Sequence, residues 1–246
     1  MSNDARDAVS GRFAGKSVLV AGGTGGLGRA VSLGFLDEGA SVVVTYRDQK
    51  EFDVLESAVT EKSLLEGYNA DLTDEAAVQQ LIARILADHR GLDAVVNAVG
   101  AYAGGVPLWE LESKVFDRMM ALNLRSGFIL ARAVVPAMLK QRSGVIINIA
   151  SKAAFDHAAG AAAYGASKAA AVAMMDSLAA DLNGTGVRVN SVLPSIIDTE
   201  ANRKAMPGVD FAQWPKPEDI ARVILFLCSD GAKLIHGAAV PVYGNS

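Results

Sequence analysis

The chain holds a single cysteine, Cys228, in 246 residues. That rules out a disulfide framework and fits a reducing compartment. Histidine is almost as scarce: His89, His157 and His236 stand far apart with no ligand spacing between them, so no metal site is expected. No unbroken apolar run approaches the ~18 residues of a membrane span. Met1 to Gly15 is polar and charged and lacks the apolar centre of a signal peptide. Basic charge is not in excess either. The net charge of -4 and a pI near 5.4 argue against a nucleic-acid partner or an anionic membrane surface. Linkers, internal repeats and low-complexity tracts are also missing. The expectation is a cytoplasmic protein with a loose arm over 1–15 and one domain over 16–246.

What the chain has in quantity is apolar side chains, 51% of the total, enough for a large core. They fall in an alternating pattern. Lys16–Ala21 is a short apolar run, as in a strand buried on both faces. Ala30, Val31, Leu33 and Phe35 then recur at helical spacing up to Gly39, and Ser41–Tyr46 is β-branched and strand-like. Further strands are expected over 64–70, 92–98, 144–150, 186–193 and 238–242. Helices are expected over 74–87, capped by Thr73, over 113–140 with Pro136 as a bend, over about 160–182 and over 217–229. Strict alternation implies an α/β fold: a single Rossmann-type, doubly wound parallel sheet of about seven strands with helices on both faces.

Between the first strand and helix lie Gly22-Gly23-Thr24-Gly25-Gly26-Leu27-Gly28. Absent side chains let a pyrophosphate approach the backbone, and a helix N-terminus offers free N–H groups to an anion. In this strand–loop–helix setting the loop points to nucleotide binding. A second stretch carries the chemistry. Tyr164 and Lys168 share one helix face four residues apart, where an ammonium favours the ionised form of a phenol that alone titrates near ~10. Ser151 follows an apolar strand, placed so that its hydroxyl can meet a substrate carbonyl at the same spot. The bland reading of Tyr164 and Lys168 alone is a solvated helix face.

Taken together, these stretches resemble the short-chain dehydrogenase/reductase family over nearly the whole chain beyond the arm. Gly22, Gly26 and Gly28 match its Thr-Gly-x-x-x-Gly-x-Gly motif, with Ala21 in place of the threonine. Asn97-Ala98-Val99-Gly100 matches its Asn-Asn-Ala-Gly motif loosely, and Asn123 its lone catalytic asparagine. Ser151, Tyr164 and Lys168 match its serine and Tyr-x-x-x-Lys, and Pro194-Ser195 departs from its Pro-Gly at the second position. The resemblance implies a carbonyl reductase or alcohol dehydrogenase with 3-oxoacyl-thioester reduction as one option. Tyr164 would then exchange the proton, Lys168 lower its pKa and bond the nicotinamide ribose, Ser151 orient the carbonyl, and Asn123 hold a water. It also implies cofactor contacts from Thr24, Gly25 and Leu27 to the pyrophosphate and ribose, from Asp71 and Leu72 to the adenine, from Asn97 and Ala98 to the adenosine ribose, and from Pro194, Ile197 and Thr199 around the nicotinamide.

NAD-dependent relatives place an acid at the end of the second strand. Here that position holds Tyr46 followed by Arg47, whose guanidinium can grip a 2′-phosphate. NADP(H) is therefore preferred, with NAD(H) open and Asp48 a possible neutraliser of Arg47. The partners expected are a small carbonyl or alcohol substrate and a second copy of the chain, as homodimer or homotetramer. Segment 198–216, with Phe211 and Trp214, corresponds to a short substrate lid. Tyr102 faces either the pocket or the lid, and His157 reads as a loop residue bonded to backbone, with a substrate contact as the other reading. Two other readings stand beside the reductase: a catalytically silent nucleotide sensor, and a lyase or epimerase that uses the cofactor transiently.

Overall fold

The computed structural model describes residues 11–245. Seven strands form one parallel sheet in the order β3-β2-β1-β4-β5-β6-β7. They are β1 (Ser17–Ala21), β2 (Ser41–Tyr46), β3 (Leu65–Asn69), β4 (Ala94–Asn97), β5 (Gly144–Ile149), β6 (Val187–Pro194) and β7 (Ala238–Val242). Val18, Leu19 and Val20 are fully buried, as are Val42, Val43 and Val44 beside them in register. Such runs, apolar on both faces, suit the centre of a sheet covered twice.

The two coverings are separate cores. One face is packed by α1 (Gly26–Asp37) and α8 (Pro217–Cys228), with Leu55 of α2 (Gln49–Ser57) at the side. The other takes α3 (Glu75–Asp88), α5 (Ser126–Gln141) and α6 (Ala162–Asp181). Strand order reverses between β1 and β4, which both run beside each other and open a crevice at their C-terminal ends. In sheets of this kind ligands bind at that switch point.

Four expectations need correction. Helix α2 was not foreseen; its stretch is charged, and only Leu55 is buried, so the apolar stripe is thin. The cap of α3 is Asp74, whose carboxylate accepts from the N–H groups of Ala76 and Ala77, and not Thr73, which bonds Asp71 instead. The long helix expected over 113–140 is two α-helices, α4 (Ser113–Met120) and α5, joined by a π turn over Ala121–Arg125, while α5 runs on through Pro136. The expected arm over 1–15 lies outside the described residues up to Ser10, and 11–15 is not loose. Phe13 is buried edge-on against Phe35, 4.9 Å between centroids, and its N–H donates to the Glu38 carbonyl oxygen. An apolar ring so close to the sheet is drawn into the core.

The span Ser113–Gln141 is long and apolar enough, at mean hydropathy 1.3, to pass for a membrane helix by composition alone. Its apolar side is accounted for by the sheet: Ile129, Leu130, Val134 and Met138 all lie in the core beneath it.

Candidate active site

The glycine loop is held by the neighbouring strand. The Thr45 hydroxyl accepts from the Gly22 N–H at 2.9 Å, and its carbonyl accepts from Gly23 at 3.1 Å. Gly22 sits at φ +72°, and a Cβ on Gly28 would overlap the Gly22 carbonyl oxygen, so neither position tolerates a side chain. The turn delivers the chain to α1 with Gly25 as N-cap. No side chain caps α1 and no acid stands in its first turn, whereas α2 and α3 are capped by Asp48 and Asp74. The first N–H groups of α1 therefore face the crevice unanswered, which is the arrangement an anion requires. Leu27 is buried in the core, so its contribution to the loop is backbone.

Around this loop the cofactor residues expected from the sequence fall into two groups. Thr24 donates to Glu51 Oε2 at 2.9 Å, joining the loop to the unforeseen α2. Arg47 is exposed at the end of β2, and its partner is Asp71, at 2.6 Å, rather than Asp48. The second oxygen of Asp71 accepts from the Thr73 N–H and hydroxyl, and these bonds, more than Arg47, hold the carboxyl below its ordinary range. Asn97 is buried; its amide donates to Asn148 at 3.0 Å, and its oxygen faces the Val99 N–H at 3.3 Å. Leu72 is likewise a core residue. Both are enclosed by protein, and Ala98 is partly open.

Across the crevice, Pro194 ends β6 and is followed by Ser195, whose hydroxyl donates to the Tyr243 carbonyl oxygen at 2.7 Å. The chain then turns so that Thr199, the N-cap of the short helix α7 (Glu200–Ala205), covers Gly26. Asp198 fixes that turn. Its N–H donates to the Pro215 carbonyl oxygen, and its carboxylate takes a two-pronged bond from Arg203. Trp214, in the segment expected to form a lid, is buried against Phe211 at 4.9 Å, so these two aromatics pack on each other.

Tyr164, Ser151, Lys168 and Asn123 come together at the ends of β4 and β5. Tyr164 and Lys168 share one face of α6, and the Tyr164 phenol is hydrogen-bonded to the Ser151 hydroxyl. Ser151 Oγ also accepts from the Ala153 N–H at 3.1 Å, leaving its own proton free to donate. Burial raises the phenol above its ordinary value, and the Ser151 hydroxyl pulls it back. Lys168 is 5% exposed; burial lowers its pKa to about 8, and its Nζ donates to the Ile149 carbonyl oxygen at 2.9 Å. A Cβ on Gly100 would stand 2.9 Å from Asn123 Oδ1 and 3.2 Å from Lys168 Nζ, so these two groups meet at one point.

Asn123 bonds protein groups on two sides. Its oxygen accepts from the Ala101 N–H at 2.8 Å, and its amide donates to the Ala101 carbonyl at 3.0 Å and to Ser167 Oγ at 2.9 Å. It brackets the loop after β4 onto α6, from within the π turn. Tyr102, expected to face either the pocket or the lid, has its ring edge-on to Tyr164, centroids 5.0 Å apart. Sequence reading missed Glu51. His157 is exposed in the loop before α6.

Residues 16–209 match the family model for short chain dehydrogenase. A 3-oxoacyl-[acyl-carrier-protein] reductase, FabG, of Thermotoga maritima is 31% identical over 95% of this chain and 98% of its own. A D-threitol dehydrogenase of Mycolicibacterium smegmatis is 31% identical over 95% of this chain and 94% of its own. Among solved structures, ElxO with NADP bound superposes with a TM-score of 0.86 at 27% identity, covering 93% of this chain and 97% of that one.

Proposed function

The chain belongs to the short-chain dehydrogenase family, and from that premise we propose that it passes a hydride between NADPH, in preference to NADH, and a ketone or secondary alcohol. It is an NAD(P)-dependent oxidoreductase. The observation that carries the rest is the hydrogen bond between the Tyr164 phenol and the Ser151 hydroxyl, with the buried Lys168 ammonium one turn along the same helix and bonded to Ile149 at the end of β5.

The residues present fit a dinucleotide. The bare glycine loop and the unanswered N–H groups of α1 suit its pyrophosphate, Arg47 a 2′-phosphate, and Ile197 and Thr199 the nicotinamide end. When bound, the cofactor supplies or takes the hydride. The chain's own work is positioning and proton transfer. Ser151 donates to the carbonyl oxygen and orients it. Tyr164 gives that oxygen its proton, at a distance a hydrogen bond can span. Ser151 is the group that pulls the phenol downward, and Lys168, one turn along α6 and bonded to Ile149, is the group for the nicotinamide ribose. Asn123 keeps the loop after β4 in register with α6, so that the three groups stay together.

The NADP preference draws support from Arg47 and from the NADP carried by ElxO. A 3-oxoacyl thioester is one substrate class among ketones, quinones and sugars; relatives named for an acyl thioester and for a sugar alcohol are equally similar. The exposed Phe116, Phe128 and Leu139 on α4 and α5 support a homodimer or homotetramer. The lone cysteine supports a reducing, cytoplasmic setting. Burial pushes its thiol up to about 12, too high for redox work.

The test is a fluorescence titration with NADPH and NADH, followed by turnover on ketones, quinones and acyl thioesters. NADPH should bind more tightly, and one class should be reduced. Tyr164→Phe should lose a hundredfold or more in turnover, on the order expected for general acid–base catalysis, with cofactor affinity nearly intact. Tight binding without turnover on any class would favour the silent-sensor reading instead.

A further inference from the structure

We propose that Tyr102 is a working part of this site: its ring walls the mouth of the pocket, keeps water from the Tyr164 phenol, and offers a flat apolar flank to the group beside the substrate carbonyl. The substrate half of this proposal rests on the reductase reading; the shielding of Tyr164 does not.

Three observations carry it. The Tyr102 ring is edge-on to Tyr164, 5.0 Å between centroids at an interplanar angle of 74°, an attractive aromatic geometry. The ring is nonetheless 70% exposed, so one side of it covers the phenol and the other is free for a ligand. Its placement is also built. Ala101, the residue before it, has both backbone groups held by Asn123. Gly104 has no side chain at the point where a Cβ would collide with the Tyr102 hydroxyl. Beyond it, the Val106 N–H donates to the Gly160 carbonyl oxygen, and a Cβ on Gly160 would press on the backbone of Gly105 and Val106 at 3.2 to 3.3 Å. An exposed tyrosine with no function needs none of this.

The groups facing the phenol are few. Ser151 comes from the end of β5, and Tyr102 from the loop after β4. The Lys168 ammonium lies one turn along α6 and donates to the Ile149 carbonyl oxygen, and the His157 ring lies beside Gly165, where a Cβ would meet it at 3.4 Å. Burial is the leading cause of the raised Tyr164 pKa, and Tyr102 adds a smaller electrostatic push that belongs to its hydroxyl and not to its ring. Removing a ring that covers the phenol should lower the pKa further, by returning water to it.

The experiment uses the full chain labelled with tyrosine carrying 13C at Cζ. Five tyrosines give five resonances, and the Tyr164→Phe spectrum identifies that of Tyr164. In Tyr102→Ala the Tyr164 titration midpoint should fall by roughly half a pH unit or more, as water returns to the phenol. Gly104→Ala, which pushes the ring aside and leaves Tyr102 in the chain, should move it the same way. Tyr102→Phe keeps the ring and loses only the electrostatic push of the hydroxyl, so its midpoint should fall clearly less than that of Tyr102→Ala; an equal fall in the two would overturn the shielding. Unmoved midpoints in both Tyr102→Ala and Gly104→Ala would overturn the shielding.

A second arm compares acetophenone with acetone, each with NADPH. In Tyr102→Ala the ratio of kcat/KM values, acetophenone over acetone, should drop by about three- to tenfold, the range of a lost aromatic contact. An unchanged ratio would overturn the substrate half. A native chain that reduces neither ketone would also overturn that half for methyl ketones, while the titration, which needs no turnover, still decides the shielding.

Discussion

Lys168→Met is a near-isosteric change that removes the buried charge, and it should abolish turnover while altering the pH dependence of stability in a calculable way. The ammonium is 5% exposed, and burial brings its pKa from 10.5 to about 8. At pH 7 the folded chain therefore carries that charge at a cost on the order of 3 kcal/mol relative to the unfolded chain. Methionine removes the cost but leaves the Ile149 carbonyl oxygen without its donor, a loss of about 1–3 kcal/mol. The two nearly cancel at pH 7, so a single stability value decides little.

The pH dependence separates them. The folded pKa lies below the unfolded one, so between pH 8 and 10.5 the unfolded chain binds more protons, and native stability from this group rises with pH. From pH 7 to pH 9 the native protein should gain about 1 kcal/mol that Lys168→Met does not. The orphaned carbonyl cancels in this difference because it does not titrate. Urea midpoints at pH 7, 8 and 9, at matched protein concentration, measure it directly. A native-minus-variant difference that stays flat across this range would mean that Lys168 is hydrated in solution, and the account of the site as a dry pocket would fail.

Two other changes test the cofactor edge and the helix ends. Asp71→Asn should free Arg47 and tighten NADPH relative to NADH, whereas Arg47→Asp should weaken NADPH by about 1–3 kcal/mol and leave NADH nearly alone. Equal effects on the two cofactors in a fluorescence titration would remove Arg47 from the 2′-phosphate. Asp74→Ala should cost about 1 kcal/mol in a urea melt through the lost cap of α3; an unchanged midpoint would return the cap to another group.

Much of the architecture was legible because it is written in local patterns. β-Branched runs such as Ser41–Tyr46 announce a buried strand, the glycines of 22–28 announce a tight turn into a helix, and Tyr164 and Lys168 share a helix face by arithmetic alone. What stayed hidden depends on residues distant in the chain. Arg47 meets Asp71 and Thr24 meets Glu51 only once β1, β2 and β3 are side by side. Tyr102 meets Tyr164 only once the loop after β4 lies beside α6. Helix α2 carries one local signal, Asp48 as its cap, but a single buried leucine gives too faint a period to read. The π turn carries no signal at all: Ala121-Leu122-Asn123-Leu124-Arg125 holds neither glycine nor proline.

That turn also sets how the α4–α5 rod can change over time. A π turn is in effect one residue inserted into an α-helix, and each helical residue rotates the chain by about 100°. The faces of α4 and α5 are therefore offset by the insertion, and Ile129, Leu130, Val134 and Met138 reach the sheet only because it is there. Substitutions along the rod leave that offset intact. Deleting any one residue from 121–125 would restore a regular helix and turn one half of it away from its contacts, either the core under α5 or the bracket at Asn123. The segment is tolerant of spelling and intolerant of length.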